Sequence, residues 1–261
     1  MSKVITTKGK DIAKRTKLAL KALKPLLPPT GSKILIKPNL VEPMESNSGA
    51  ITRPEVVEGI IQFLIEKEYE IFIGEGAGIL NTTECFERAG YYELEEKFQV
   101  KLVDLNKGPF IKLKGNFWEF EIAKLVKEVN YIISAAVLKQ HPYEVTLCLK
   151  NMMGVLKPRK RYPVKAYMHK EGSMQPWAER LCDLLLAAKP NLAVIDATTG
   201  MFGSHLYGEL KRFDMVVTSE DAVAADVVGA KLLGKENVLH LNLAIKKGIG
   251  SKPEEIKEIL S

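Results

Sequence analysis

The sequence has 261 residues, and its 38 lysines and arginines against 32 aspartates and glutamates give a formal net charge of +6. Apolar residues make up 46% and charged residues 27%, which is typical of a globular protein and excludes disordered and fibrous classes. The 3 cysteines are too few for a disulfide framework and indicate a reducing compartment. Because the N-terminus is polar and no apolar run approaches the roughly 20 residues that cross a bilayer, we expect a cytoplasmic protein without a membrane partner.

The first half of the sequence alternates helix and strand patterns. Apolar spacing predicts a helix over residues 11–27, with Asp11 as its N-cap, followed by a strand over residues 33–37. Thr52 is the expected N-cap of the next helix, which Pro54 begins. Strands are then predicted at 69–73 and 100–105, and helices at 82–89 and 122–129.

The second half continues this alternation. The patterns predict, in order, a strand at 131–137, a helix at 145–155, a long basic loop at 156–173, a helix at 177–188, a strand at 192–196, a glycine-rich loop at 199–208, a strand at 214–219, a buried helix at 220–233 and two short closing helices. Strands alternating with helices predict an α/β fold with a mostly parallel sheet of about six strands and helices on both faces. No linker divides the sequence, so residues 1–261 are expected to form one elaborated α/β domain, with a basic loop, lid or small subdomain at 156–175.

Polar residues follow the ends of several predicted strands. The carboxyl ends of parallel strands meet at one edge of a sheet, where ligands bind. We therefore expect six residues that are distant in sequence to converge: Lys37, Asn39, Glu75, Lys139, His141 and Asp196. The alternative is that each of them only marks the point where a strand leaves the core.

The segment from Lys139 to Gly154 is the richest in chemically active side chains. If residues 145–153 are helical, Thr146 and Lys150 share one face, and the helix N-terminus adds positive potential for an anion. Burial of Lys150 among leucine and methionine would lower its pKa and make it a base or a nucleophile. The predicted catalytic residues are Lys150, His141 and Lys139. The predicted substrate-binding residues are Lys37, Asn39, Thr146, Asn151, Glu75 and Asp196. The alternative is that Lys150 extends to the surface and His141 is an ordinary loop residue.

Cofactor signals in the sequence are weaker. His169 and His141, with a carboxylate, form a candidate site for a divalent metal, although their spacing matches no tight metal motif. Residues 74–78 read G-x-G-x-G after a strand, which indicates a phosphate loop or simply a tight turn. No cysteine spacing for an iron–sulfur cluster is present. The basic loop carries tyrosines that could contact nucleic acid, but a solvated surface is the favoured interpretation.

A set of motifs runs in order along most of the chain: Lys37-Pro-Asn39, Thr52 to Pro54, Gly74-Glu75-Gly76, Lys139-x-His141, Thr146, Leu149-Lys150-Asn151-x-x-Gly154, His169, Trp177, Asp196 and Asp221-x-x-Ala224-x-Asp226. This order resembles the family named domain of unknown function 362, whose reaction is unknown. Members are often fused to a ferredoxin-type cluster domain, so the resemblance implies that any redox role here would need a separate iron–sulfur protein as a partner. The segment from Ser204 to Gly208 departs from the Gly-Pro-Ser-x-Gly pattern of members, which leaves open any role for that loop.

A fainter resemblance involves the order Lys150, Gly154 and His169. It is similar to the nickel-pincer lactate racemases, in which the lysine carries the cofactor covalently and a histidine binds the metal.

Three hypotheses about function follow from these residues. The first is an enzyme that acts on a small carboxylate or phosphate by lysine and histidine acid–base chemistry at the carboxyl edge of the sheet. The second is a non-catalytic redox-accessory or cofactor-binding protein that works with an iron–sulfur partner. The third is a nucleic-acid binder that uses the basic loop. The oligomeric state is not specified by the sequence.

Overall fold

The computed structural model describes residues 1–160, 163–169 and 173–261. Within these residues the strands are β1 (Ser2–Lys8), β2 (Lys33–Lys37), β3 (Glu70–Glu75), β4 (Lys101–Asp104), β5 (Phe110–Lys114), β6 (Glu119–Ala123), β7 (Tyr131–His141), β8 (Glu144–Thr146), β9 (Leu192–Phe202), β10 (Glu209–Ser219) and β11 (Ile256–Leu260). The helices are α1 (Ile12–Leu23), α2 (Pro54–Leu64), α3 (Thr82–Ala89), α4 (Tyr92–Phe98), α5 (Leu125–Glu128), α6 (Cys148–Asn151), α7 (Met174–Ala187), α8 (Ala222–Leu232) and α9 (Leu239–Lys246).

One mixed sheet organises the described part of the chain. Its order is β11-β1-β10-β9-β7-β2-β3-β4, with β8 paired to the end of β7. The pairs β9–β7, β7–β2, β2–β3, β3–β4 and β1–β11 are parallel, whereas β10 is antiparallel to both β1 and β9. The predicted α/β fold with a mostly parallel sheet is confirmed, and the strands are more numerous than expected.

Helices cover both faces of this sheet. Side chains alternate along β2, so that Ile34 and Ile36 pack into one hydrophobic cluster and Leu35 packs into the other. The first cluster includes residues of α1 to α4, such as Leu20. The second includes residues of α6 to α9, such as Leu181. Burial on both faces explains why the central strands are continuously apolar rather than alternating in sequence.

Two helix ends form as the local sequence predicts. The side chain of Asp11 accepts a hydrogen bond from Lys14 N at 2.9 Å and so caps α1. Gly90 ends α3 with a φ of 80°, a left-handed conformation that glycine adopts without a steric penalty.

The N-cap predicted at Thr52 is wrong. Arg53 occupies the cap position of α2, and no side chain caps that helix. Thr52 Oγ1 instead donates to Ala135 O at 2.7 Å and accepts from Asn39 N at 3.0 Å. Thr52 therefore ties the loop after β2 to the central strand β7, a long-range use that local spacing does not reveal.

The predicted helix over residues 145–155 is also wrong. The chain turns at Glu144, which has a φ of 70°, and returns as β8. Val145 and Thr146 are β-branched and favour this extended conformation. Helix α6 begins only at Cys148 and continues into a 3₁₀ turn at Met152–Val155.

This correction changes how the central residues are held. Thr146 and Lys150 do not share a helical face, because Thr146 belongs to β8 and Lys150 to α6. Lys139 and His141 lie in β7 rather than in a loop.

Long-range pairing accounts for the other differences. Residues 199–202 extend β9 and are not part of a glycine-rich loop, and the helix predicted at 122–129 is the end of β6 followed by α5. The apolar pattern of the sequence does not predict β1 or β11. These two strands pair with each other from opposite ends of the chain, a contact that local spacing does not reveal. The chain therefore closes in a strand rather than in the second predicted helix.

The predicted lid at 156–175 lies partly outside the described residues, and Arg161 and Lys170 fall there. Its described part contains a 3₁₀ turn at Ala166–His169. Among the described residues, none of the helices has the length and apolar character that a membrane crossing requires.

Candidate functional site

A cavity of about 340 Å³ lies where β2, β3 and β7 end. This is the carboxyl edge of the parallel strands, the usual ligand-binding edge of such sheets. Its wall includes most of the predicted site residues: Asn39, Glu75, Lys139, His141, Thr146, Lys150, Asn151 and His169. Two predicted residues, Lys37 and Asp196, do not line this cavity.

Lys37 is fully engaged by the protein. Its Nζ donates to Glu75 Oε1 at 2.8 Å and to Asn151 Oδ1 at 3.0 Å. A third hydrogen bond goes to Pro38 O at 3.0 Å. Burial lowers the pKa of Lys37, and the nearby Glu75 carboxylate opposes that shift. An ammonium group has three donors, so Lys37 supports the site from behind and has none left for a substrate.

Asn151 is saturated as well and fixes the orientation of Asn39. Its Nδ2 donates to Lys37 O at 2.9 Å and to Ser134 Oγ at 3.1 Å. Because a backbone carbonyl can only accept, Asn151 Oδ1 must be the acceptor for Asn39 Nδ2, at 3.2 Å. Asn39 Oδ1 then has no hydrogen-bond partner among the described residues. Asn151 is thus a positioning residue, and Asn39 presents a buried acceptor at the cavity.

The glycine-rich turn at 74–78 does not form a phosphate cradle. Each of its last three N–H groups already has a protein acceptor: Gly76 N donates to Glu75 Oε1 at 2.7 Å, Ala77 N to Thr82 Oγ1 at 3.2 Å and Gly78 N to Val41 O at 2.7 Å. Glycine is required at Gly76 for space, since a β-carbon there would overlap the carbonyl oxygen of Gly154. The turn therefore packs the site together instead of binding phosphate.

The hairpin of β7 and β8 places Lys139 beside Thr146. The two residues are direct partners in register, so their side chains project to the same face. Lys139 Nζ donates to Ala50 O and keeps further donors. Burial, reinforced by the charge of Lys150, lowers the pKa of Lys139 well below its usual value. Thr146 Oγ1 is buried and has no hydrogen-bond partner among the described residues.

Asp226 of α8 holds the short helix that carries Lys150. Its two carboxylate oxygens accept from Cys148 N and Leu149 N, both at 2.8 Å. Burial raises the pKa of Asp226 to about 7, although these hydrogen bonds oppose the shift. The N–H groups at the start of α6 are therefore occupied, and the prediction that they attract an anion is wrong.

Lys150 reaches the cavity without a protein partner. In the described part of the chain, its Nζ forms no hydrogen bond and no ion pair. Burial lowers its pKa to about 8. Near neutral pH both forms are then populated: the ammonium can hold an anion, and the neutral amine can accept a proton or attack an electrophilic carbon.

Three histidines line the same cavity and are neutral near pH 7. The ring centroid of His141 lies 4.4 Å from that of His205 and 6.1 Å from that of His169. Burial lowers the pKa of each ring, with the charge of Lys150 contributing in every case, and the values for His169 and His205 are about 4. Positive charge in the cavity therefore resides on lysines.

The divalent-metal site predicted at His141 and His169 does not fit this geometry. His141 Nδ1 accepts a hydrogen bond from Tyr143 N at 2.9 Å, so the neutral ring carries its proton on Nε2 and has no free lone pair. Within residues 1–160, 163–169 and 173–261, no three His, Cys, Asp or Glu side chains are placed to hold an ion. The described residues around His141 and His169 therefore do not form a metal-ligand cluster.

Asp196 belongs to a separate polar cluster, so its expected convergence with the other strand-end residues is wrong. Its Oδ1 accepts from Thr198 N at 2.9 Å and from Thr198 Oγ1 at 2.6 Å. Its Oδ2 accepts from Arg53 N at 3.1 Å, and Arg15 in turn donates to Thr198. These contacts fix β9 against the start of α2.

A family model described as domain of unknown function (DUF362) matches residues 34–231, which contain all of the quoted motifs from position 37 to position 226. The chain belongs to the DUF362 family. It is similar to the thylakoid-associated protein sll1697 of Synechocystis sp. (strain ATCC 27184 / PCC 6803 / Kazusa), with 25% identity over 227 residues, or 85% of this chain and 70% of that protein.

The cavity of this DUF362 protein includes two residues that local spacing does not identify. Lys165, in the basic loop, is buried, and its Nζ donates to Gly76 O and Gly154 O. Burial lowers its pKa to about 7. His205 follows the end of β9 and meets His141 across the cavity. Both come from segments that look solvated in sequence, and only the folding of those segments onto the sheet edge brings them into the site.

Proposed function

We propose that this DUF362 protein is an enzyme that binds a small carboxylate or phosphate in the 340 Å³ cavity and transfers a proton through Lys150. The observation that carries the proposal is that Lys150 Nζ has no partner among the described residues, whereas Lys139 and Lys165 in the same wall donate to backbone carbonyl oxygens. The local net charge of the cavity lysines favours an anion.

The charge balance supports an anionic ligand. Lys139, Lys150 and Lys165 line the cavity, and Glu75 is the carboxylate among its lining residues. That carboxylate is already paired with Lys37 behind the wall. A desolvated cluster of cations with one neutralised acid attracts a negatively charged group.

Unsatisfied polar atoms support a ligand that also carries a hydroxyl or carbonyl group. Asn39 Oδ1, Thr146 Oγ1 and His169 Nδ1 are buried and lack partners among the described residues. Burying a polar atom without a hydrogen bond costs about 1–3 kcal/mol, so a ligand that satisfies these atoms gains affinity. Asn39 Oδ1 accepts, and Thr146 Oγ1 can donate.

The chemistry follows from the two states of Lys150. The neutral amine removes a proton from a carbon or oxygen of the bound anion, and the ammonium returns it on the same or another face. The Nε2–H of neutral His141 serves as a donor to the oxygen that gains negative charge.

A binding test uses thermal shift with inorganic phosphate, lactate, pyruvate, malate and glycerol phosphate as probes. At least one probe is expected to raise the Tm of the wild type, and Lys150→Met should remove that increase. Lys67→Met is the matched control, because Lys67 is an exposed lysine outside the cavity. An equal Tm increase in Lys150→Met and wild type would contradict the proposal.

A proton-transfer test needs no knowledge of the product. Each carboxylate that binds is incubated with the protein in D₂O, and loss of the proton next to the carboxylate is followed by ¹H NMR. Exchange that depends on Lys150 supports the enzyme. Binding without exchange favours the alternative, a non-catalytic redox-accessory or cofactor-binding protein that works with an iron–sulfur partner. A cytoplasmic location is part of either version, supported by the free, buried state of the three cysteines.

A nucleic-acid binder remains the second candidate because of a separate basic cleft. This cleft, of about 730 Å³, is lined by Lys112, Lys114, Lys157 and Arg159 beside aromatic rings. One of these rings is covered, since the guanidinium of Arg159 lies 4.2 Å from the ring centre of Tyr167. For this candidate, Arg159→Ala with Lys160→Ala should remove an affinity for oligonucleotides that falls steeply with salt, and Lys150→Met should not.

A further inference from the structure

We propose that the substrate class of this cavity is a 2-oxo carboxylate, whose carbonyl carbon forms an imine with Lys150. This inference rests on the proposed function, because it uses the same cavity and the same lysine. It differs in assigning Lys150 a covalent role, so that the substrate is activated by the imine.

The first argument is the freedom of the amine. Lys37, Lys139 and Lys165 each donate to at least one protein acceptor, whereas Lys150 Nζ has none in the described structure. Carbonyl or carboxylate oxygens that accept from a lysine fix the direction of its N–H groups and therefore of its nitrogen. Lys150 is not held in this way, so its Nζ can turn its lone pair towards a ligand.

The second argument is a neighbouring buried lysine. Lys139 and Lys150 line the same cavity, and the charge of Lys150 lowers the pKa of Lys139. Two like charges in one buried cavity disfavour each other, so the pair is not expected to carry two charges near neutral pH. The donors that remain on Lys139, with the hydroxyl of Thr146 beside it on the hairpin, suit the carboxylate of the substrate.

The third argument is the presence of neutral proton donors and acceptors. Imine formation joins Lys150 Nζ to the carbonyl carbon, breaks the carbonyl C–O π bond and finally expels that oxygen as water. The amine gives up two protons in this process, and both leave with the oxygen. The expelled oxygen needs a donor, which His141 Nε2–H supplies, and the nitrogen needs an acceptor, which the unpartnered Nδ1 of His169 supplies in its neutral form.

The experiment is reductive trapping. The full chain is incubated at pH 7.5 with pyruvate or 2-oxoglutarate and sodium cyanoborohydride, and the lysine peptides are quantified by mass spectrometry. The expected adduct has the mass of the oxo acid less water plus two hydrogens, and it resides on the peptide that contains Lys150. A pKa near 8 rather than 10.4 gives on the order of 100-fold more neutral amine at this pH, so Lys150 should be labelled far ahead of exposed Lys67.

Two variants and one ligand control separate the outcomes. Lys150→Met should lose the adduct, and Lys67→Met should keep it. Lactate has a hydroxyl in place of the 2-oxo group, so it should protect Lys150 from labelling without forming an adduct itself. If pyruvate raises the Tm in a Lys150-dependent way but leaves no adduct, the imine is overturned while the proton-transfer proposal stands. If pyruvate neither binds nor labels and no other probe binds, both proposals are overturned. Labelling that is spread evenly over surface lysines also overturns the imine.

Discussion

Lys37 Nζ lies 2.8 Å from Glu75 Oε1, and the two side chains are 0% and 2% exposed. Removing one partner leaves the other charge buried and unpaired, which costs about 3–5 kcal/mol. We therefore expect Lys37→Met to destabilise the protein by that amount in urea unfolding. The double variant Lys37→Met with Glu75→Gln should lose less than the sum of the two single variants.

Lys101 provides the control for this prediction. It pairs with Glu70 at 2.7 Å on the surface, where both side chains are more than a third exposed. Lys101→Met should change the unfolding free energy very little, because solvent screens such pairs. Equal losses for Lys37→Met and Lys101→Met would show that the buried pair does not support the site.

Gly154 is expected to tolerate no side chain. A β-carbon at this position would overlap Glu75 Oε1 and Lys37 Nζ, neither of which can move without breaking the buried pair. Gly154→Ala should cost about 1–3 kcal/mol in thermal or urea unfolding, as overpacking does elsewhere. Gly9→Ala is the control, since its β-carbon would meet only Arg15 Cβ at 3.7 Å. A neutral Gly154→Ala would contradict the packing described here.

Asp226→Asn tests how α6 is held. An amide offers one acceptor where the carboxylate offers two, so either Cys148 N or Leu149 N loses its partner. We expect a loss of about 1–3 kcal/mol and weaker anion binding at Lys150. Asp221→Asn is the matched control. Its one remaining oxygen can still cap α8, but Ser251 N, which donates to Asp221 Oδ2 at 2.8 Å, loses its acceptor. This variant should lower stability while leaving the affinity of the folded protein for the anion intact. The anion affinity of each variant is measured by titration calorimetry below the Tm of both, and is compared with the loss of stability of the same variant.

Lys150→Met is expected to fold and to gain stability. Burial lowers the pKa of Lys150 to about 8, so below that pH the folded state carries a cation that would be more stable in water. One pKa unit corresponds to about 1.4 kcal/mol, and the expected gain at pH 7 is about 1–3 kcal/mol. The gain should shrink as pH rises towards 10.5, because the wild-type amine then becomes neutral in both states. A variant that unfolds would instead make Lys150 a structural residue.

Affinity for anions should depend on pH in a defined direction. Lys165 and Lys150 lose their charges as pH rises through about 7 and about 8. Binding of lactate, a carboxylate whose own charge does not change in this range, should therefore weaken between pH 6 and 9. The other titratable groups of the cavity wall are Glu75, Lys139, His141, Tyr143, His169 and His205. The histidines stay neutral over this interval, because burial holds their pKa values low.

Imine trapping should rise over the same interval, opposite to anion binding. Parallel profiles would contradict the assignment of Lys150.

The sequence predicts which residues line the cavity better than it predicts the contacts that hold them in place. Strand ends at Lys37 and Glu75 are correctly placed, because short apolar runs bounded by polar residues define where parallel strands stop. The strand predicted to stop before Lys139 instead continues to His141, where it pairs with β8. Lys150 is also found, since an isolated lysine among leucines and methionines signals burial. Asp196 shows the limit of this reasoning, because a strand end fixes the edge of the sheet but not the direction of its side chain.

The remainder depends on contacts between distant segments. The saturated bonds of Asn151 with Lys37, the cap from Asp226 and the entry of Lys165 and His205 all join residues that no periodicity relates. The helix predicted around Thr146 fails for a related reason: pairing with β7 overrides the helical spacing of a short segment. These features decide that Lys37 and Asn151 are held within the wall while Lys150 faces the cavity.

The most direct test of this account is ¹H–¹⁵N NMR of the protein labelled at lysine Nζ, with Lys150→Met used to assign one resonance. We predict that the Lys150 signal titrates near pH 8 and moves when inorganic phosphate or pyruvate is added, while the Lys67 signal does neither. A Lys150 signal that titrates near 10.5, like an exposed lysine, and does not respond to either probe would contradict the claim that Lys150 is the reactive group of the cavity.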